Sequence, residues 1–158
     1  LLLSKESTFM PDDKTTLMYL CTGNSCRSQM AEGFTRELKG DLFDVYSAGI
    51  EAHGVNPRAI EVMKEVGIDI SHQRSKHVDE LPDITFDFVV TLCDQARESC
   101  PLFTEATHLV HAGFDDPAAA EGTEEEIMDE FRRVRDQIRS FVEHLPESLA
   151  TTESELPH

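Results

Sequence analysis

Tryptophan is absent from the 158 residues and tyrosine occurs only twice. A cleft walled by large aromatic rings therefore has little to be built from. No apolar run approaches the roughly 20 residues of a membrane-spanning helix, and the opening L-L-L is too short for the apolar part of a signal peptide. The chain is expected to be soluble and cytoplasmic. Basic residues are scarce: 14 Lys and Arg stand against 31 Asp and Glu, a formal net charge of -17. That balance excludes nucleic acid and anionic membranes as natural partners. It also repels any anion at long range, so an anion site here must generate strong local attraction. The four cysteines, Cys21, Cys26, Cys93 and Cys100, include no C-x-x-C pair. The pairs His72/His77 and His108/His111 do not complete a zinc pattern with them, so no metal is expected. Cysteines of a reducing compartment are more often catalytic or inert than structural.

What is present is an alternation of strand and helix signals. T-L-M-Y-L (16–20), D-V-Y-S-A (44–48), F-D-F-V-V-T-L (86–92) and T-H-L-V-H-A (107–112) read as strands. A helix is expected from about Ser28, with Met30, Ala31, Phe34 and Leu38 on one face. A second starts at Asn56-Pro57, an N-cap followed by proline, with Ala59, Ile60, Met63 and Val66 as its apolar stripe. A third opens on the capping box Thr123…Glu126 and carries Ile127, Phe131, Val134, Ile138, Phe141, Val142 and Leu145. Its acidic first turns suit the helix dipole and need no ligand. The pattern predicts an α/β three-layer sandwich: a four-stranded parallel sheet of order 2-1-3-4 with helices on both faces. Residues 1–14 are expected to be a flexible segment, 15–145 a single domain and 146–158 a flexible tail, the whole a monomer. In this order strands 1 and 3 are neighbours, and ligands bind where their connections diverge, at the C-terminal sheet edge. Three loops meet there: those after Leu20, after Leu92 and after Ala112.

The first of these reads C-T-G-N-S-C-R-S, residues 21–28. A tight loop between a strand and a helix N-terminus turns its amides inward and makes an anion nest. Thr22, Gly23, Asn24, Ser25, Cys26, Arg27 and Ser28 are thus the expected oxyanion-binding residues. Gly23 and Asn24 are the ones that tolerate left-handed dihedrals. Arg27 offers a planar fork to a tetrahedral oxyanion. The same positive field, with Ser28 as a further donor, favours a thiolate at Cys21. Cys26 reads as packing within the loop. An oxygen leaving group needs an acid, and G-F-D-D-P-A (113–118) supplies Asp115 and Asp116; Asp116, directly before proline, is the choice.

C-T-G-N-S-C-R-S followed by Q-M-A-E-G resembles the phosphate-binding loop of the low-molecular-weight protein tyrosine phosphatase superfamily, and G-F-D-D-P-A resembles its acid loop. The resemblance runs from about Leu17 to Leu145 and implies that residues 15–145 are a catalytic domain of that type. Phosphatases and arsenate reductases share the loop, and phosphate and sulfate mimic arsenate in it. V-V-T-L-C-D-Q-A-R-E-S-C-P is similar to the thioredoxin-coupled arsenate reductases, as is S-A-G-I-E-A-H-G-V-N-P. Ala118 stands where the phosphatases carry an aromatic residue.

This resemblance implies a sequence of steps. Cys21 attacks arsenate while Asp116 protonates the departing oxygen. Cys93 attacks Cys21, arsenite leaves, and a Cys21–Cys93 disulfide forms. Cys100 then converts it to Cys93–Cys100, which thioredoxin reduces; no bound cofactor is implied. The alternative is a phosphatase hydrolysing phosphotyrosine esters through a Cys21 phosphoenzyme, and a third class is a non-catalytic oxyanion sensor. A helical Cys93–Cys100 segment would hold the two Cα atoms ~10.5 Å apart, whereas a disulfide needs under ~7 Å, so the segment is expected to rearrange on oxidation. Some reductases hold a monovalent cation beside the loop. Asn24, Glu32 and Ser47 match its ligands, but Lys76 stands at the acidic position, so its ammonium is expected to replace the ion.

Overall fold

The computed structural model describes residues 14–81, 85–93 and 108–149. Four strands, β1 (Thr15–Cys21), β2 (Phe43–Gly49), β3 (Phe88–Thr91) and β4 (His108–His111), form an all-parallel sheet in the order β2-β1-β3-β4. β1 is central: it pairs with β2 from Thr15↔Phe43 to Cys21↔Gly49, and with β3 from Leu17↔Phe88 to Leu20↔Thr91. The helices are α1 (Arg27–Lys39), α2 (Pro57–Glu65) and α3 (Glu124–Glu143). Short 3-10 turns occupy Val78–Glu80 and Pro117–Ala119.

β3 starts at Phe88, later than the apolar run indicates. The cause is Asp87, whose carboxylate accepts the Thr16 backbone N–H at 2.9 Å, while the Asp87 N–H donates to the Thr16 hydroxyl at 2.9 Å. Side chains thus replace the sheet ladder for that step.

Strand alternation sorts β1 between two cores. Leu17, Tyr19 and Cys21 join one cluster with Met30 and Phe34 of α1, Val62 and Met63 of α2, and Phe131, Val134 and Ile138 of α3. Met18 and Leu20 join Ala48, Phe86 and Val89 in a second, flanked by Tyr46, Val78 and Leu81. All three helices therefore belong to the first face. The β3–β4 connection, residues 94–107, lies outside the described residues. Leu38 departs from the expected stripe of α1: it is 38% exposed at the last turn. On α2 the fully buried residues are Ala59, Val62 and Met63, with Ile60 and Val66 only partly covered. The buried Tyr19 keeps its hydroxyl satisfied by Thr35 Oγ1 at 2.7 Å.

The α3 capping box forms as its sequence implies. Thr123 Oγ1 accepts the Glu126 N–H at 3.1 Å, and Glu126 Oε1 accepts the Thr123 N–H at 2.8 Å. Packing continues past Leu145, the expected domain end. Leu149 is 2% exposed, and its N–H donates to the Pro146 carbonyl at 3.0 Å. Pro146–Leu149 is thus part of the packed body, because Leu149 completes the α3 side of the core.

Thr123→Ala strands the Glu126 amide of the cap, and urea unfolding is expected to show a loss of about 1 kcal/mol.

Candidate active site

The loop after β1 is held from outside by the segment after β2. The carbonyls of Cys21, Thr22, Gly23 and Ser25 accept the N–H groups of Ile50, Glu51, His53 and Asn56 at 3.1, 2.8, 2.9 and 3.0 Å. Across a trans peptide a carbonyl and the following N–H point in opposite directions. The amides of Thr22, Gly23, Asn24 and Cys26 are therefore turned away from that segment, toward the loop's interior. That is the anion nest, and its orientation is fixed by a second stretch of chain. Gly49 permits the contact: a Cβ there would lie 2.7 Å from the Asn24 nitrogen and 2.2 Å from the Glu51 carbonyl. Asn24 takes the left-handed conformation, with φ of 49°. Gly23 does not, contrary to expectation. What needs glycine there is the His53 ring, whose Nδ1 would be 2.3 Å from an added Cβ.

Asn24 is the buried hub of the loop. Its Nδ2 donates to Ser28 Oγ (2.8 Å) and Ser47 Oγ (3.0 Å). Its Oδ1 accepts from Gln29 Nε2 and the Lys76 backbone N–H, both at 2.9 Å. The amide nitrogen can only donate, so Ser28 accepts from it. The Ser28 hydroxyl proton is left for Cys21 Sγ, 2.9 Å away.

Arg27 opens α1 and is 8% exposed. Its Nη1 donates to the Phe114 carbonyl at 3.0 Å, tying the loop after β4 to the loop after β1. Its Nη2 lies 3.7 Å from Asp116 Oδ2. Its Nε is buried without a hydrogen-bond partner. A buried, unpaired charged donor is costly unless a ligand meets it. The adjacent cavity, about 310 Å³, is floored by loop residues including Cys21, Ser25 and Arg27 and completed by His53, Asp116 and Ala118. The two aspartates separate. Asp116 Oδ1 accepts the Ala118 N–H at 3.0 Å, which sets the carboxylate over the cavity, whereas Asp115 is drawn outward by Arg133 at 2.9 Å.

Of the other sequence-marked residues, Cys93 lies just past β3 with its Sγ 3.1 Å from Thr22 Oγ1, on the rim of the loop. Cys100 lies outside the described residues. Cys26 is 4% exposed, and burial pushes its thiol up to about 12, so it stays neutral at physiological pH. Glu32 and Ser47 do converge on Asn24, but their oxygens are committed. Ser47 donates to Glu32 Oε1 and Arg36 Nη2 to Glu32 Oε2, each at 2.5 Å. Burial lowers the Lys76 ammonium, which donates to the Arg74 carbonyl at 2.9 Å. Both Asn24 Oδ1 lone pairs are also taken, by Gln29 Nε2 and the Lys76 backbone N–H. Among the described residues no His, Cys, Asp and Glu cluster could hold a metal.

The sequence gives no local sign of His53, Gln29 or the carbonyl-gripping stretch 50–56 as site components. Their spacing from Cys21 is set by strand pairing. Beyond the family resemblance of the S-A-G-I-E-A-H-G-V-N-P and Q-M-A-E-G stretches, the signal in the residues themselves is Gly49 at the end of β2, a glycine where β1 ends alongside.

A strand-loop-helix anion nest carrying cysteine and arginine, on a 2-1-3-4 parallel sheet, defines a phosphatase-type oxyanion site. Residues 16–155 match the model of the low molecular weight phosphotyrosine protein phosphatase family, and the chain belongs to that family. Its relatives include the arsenate reductase of Halalkalibacterium halodurans, 54% identical over 86% of this chain and 98% of the relative. The arsenate reductase of Bacillus subtilis is 53% identical over 84% and 95%. Among solved structures, an arsenate reductase in the phosphate binding state superposes with a TM-score of 0.73 at 35% identity, covering 85% of this chain and 98% of the other.

Gly49→Ala is expected to push the 50–56 segment off the loop carbonyls, costing about 1–3 kcal/mol in thermal or urea unfolding. Phosphate binding, read by calorimetry, should weaken by more than the fall in stability explains, because the amides lose their fixed direction.

Proposed function

We propose that the protein reduces arsenate to arsenite through Cys21, Cys93 and Cys100, with thioredoxin as electron donor. It would act as a monomeric cytoplasmic enzyme of arsenic detoxification, with one catalytic domain beginning near residue 15. The observation that carries the reading is Cys93 beside the anion loop, its sulfur 3.1 Å from Thr22 Oγ1. A phosphatase needs one thiol at this edge; a two-electron reduction needs a second.

In the proposed cycle the inward amides of Thr22 to Ser28 and the free Nε of Arg27 bind the oxyanion. Cys21, helped by the Ser28 hydroxyl, attacks arsenic, and Asp116 protonates the oxygen that leaves as water. Cys93 attacks the Cys21 sulfur. The S–As electron pair stays on arsenic, which departs as arsenite, and a Cys21–Cys93 disulfide remains. Cys100 displaces Cys21 to give Cys93–Cys100, and the thioredoxin dithiol restores both thiols. The family name and the shared loop favour a second, slower reading, hydrolysis of phosphate monoesters through a Cys21 phosphoenzyme. Among the described residues the cavity lining is poor in rings for an aryl group, and Ala118 lines it where an aromatic would serve.

The test is arsenite release with purified thioredoxin, thioredoxin reductase and NADPH. Cys21→Ser and Cys93→Ser should abolish turnover, and Cys100→Ser should stop it after one cycle. Asp116→Asn should lower kcat about 10²–10⁴-fold. Aryl-phosphate hydrolysis that persists in the Cys93 and Cys100 variants, without arsenate turnover, would establish the phosphatase reading instead.

Replacing sodium by potassium at constant ionic strength should leave kcat/KM for arsenate unchanged. Selective activation by potassium would contradict the expectation that the Lys76 ammonium replaces the ion.

A further inference from the structure

Two carboxylates stand side by side in the chain at the rim of a site that must hold an anion. Asp116 has its place in the proposed cycle; Asp115 has none. Asp115 Oδ2 accepts from Arg133 Nη2 of α3 at 2.9 Å. Arg133 also donates to Glu130, one turn earlier on that helix, from Nε to Oε1 at 3.0 Å and from Nη2 to Oε2. The Asp115 and Arg133 side chains are 75% and 43% exposed. A pair this exposed adds little to stability, so its consequence is where it sends the Asp115 charge. The residues on either side of Asp115 both reach Arg27. The Phe114 carbonyl accepts from Arg27 Nη1 at 3.0 Å, and Asp116 Oδ2 lies 3.7 Å from Arg27 Nη2. The Phe114 ring also meets Phe141 of α3 edge to face, with centroids 6.2 Å apart. The loop is thus held between α1 and α3, and Asp115 is the carboxylate committed to α3.

Among the described residues, Arg27 is the one arginine or lysine that lines the cavity. Its contact with Asp116 is longer than a hydrogen bond, and its Nε has no partner. A guanidinium so placed draws in any carboxylate that can reach it. Asp115 adjoins both residues that contact Arg27, so it is the rival nearest in the chain once Arg133 releases it. With Asp115 on it, Arg27 would spend its fork on a side chain instead of a ligand. A second negative charge would also enter the rim, where like charge opposes anion binding. We propose that Arg133 is a positioning residue of the oxyanion site: by holding Asp115 on α3 it keeps Arg27 open to the anion and leaves Asp116 as the single carboxylate lining the cavity. The inference deepens the proposed function, since it rests on oxyanion binding in the Cys21 loop, but it does not depend on reduction.

It is tested by binding of inorganic phosphate, read by calorimetry under reducing conditions at neutral pH and fixed ionic strength. Arg133→Ala should weaken phosphate about fivefold. Adding Asp115→Asn to that variant should restore the parent affinity to within about twofold, because the charge that Arg27 attracts is gone. Adding Glu130→Gln in place of Asp115→Asn should restore little, since Glu130 stays on α3. Unchanged binding in Arg133→Ala would overturn the proposal. So would a loss that Asp115→Asn fails to repair, which would reduce Arg133 to a distant charge or a structural part. Equal repair by Glu130→Gln would do the same, since any lost acidic charge would then serve. A parent protein that binds no phosphate would overturn this inference together with the oxyanion reading. Thermal unfolding of each variant checks that the fold is kept. Arsenate turnover is measured separately: repair by Asp115→Asn in a protein that reduces no arsenate would sink the reductase reading and leave this one standing.

Discussion

The site depends on which way four peptide planes face. The carbonyls of Cys21, Thr22, Gly23 and Ser25 are all taken by the chain that follows β2, and planar peptides then leave the next amides pointing inward. Without that grip a glycine- and asparagine-bearing loop would sample many orientations, and its amides would be solvated individually. The grip itself depends on parallel pairing of β1 with β2 to their last residues, Cys21 opposite Gly49. Sheet register and the direction of the loop amides are therefore one feature seen at two scales.

Behind the nest, Asn24 converts a floppy turn into a fixed one. All four hydrogen bonds of its side chain are made inside the protein. Their polarity runs toward Cys21, because an amide nitrogen must donate and Ser28 must then pass its own proton on. The same network absorbs Glu32 and Ser47 and balances the buried carboxylate with Arg36.

An acidic protein with a formal charge of -17 is a poor long-range attractor for an oxyanion. The local arrangement opposes that field with groups that water cannot screen: inward amides and a nearly buried guanidinium whose Nε lacks a partner. Interactions in such a dry, preorganised place count for more than the same charges on the surface. The many surface carboxylates are handled separately, by pairs such as Arg58 with Glu124 and Arg132 with Glu65.

The sequence alone determined the alternation of strands and helices, the 2-1-3-4 order, the C-T-G-N-S-C-R-S nest and the capping box of α3. Each is written in neighbouring residues, through periodicity, turn chemistry or spacing within one loop. Strand ends were less legible, since Asp87 and Thr16 trade side-chain bonds for ladder bonds across 71 positions. The two adjacent aspartates separate only in the folded chain, one carboxylate near Arg27 and the other held by Arg133. Only the folded chain decided that residues 50–56 orient the nest, that Gly23 serves a neighbouring ring rather than its own dihedral, and that His53 stands at the mouth. Those are contacts through space between segments some thirty residues apart. No local pattern encodes them, because their partners are chosen by strand pairing and not by sequence neighbours.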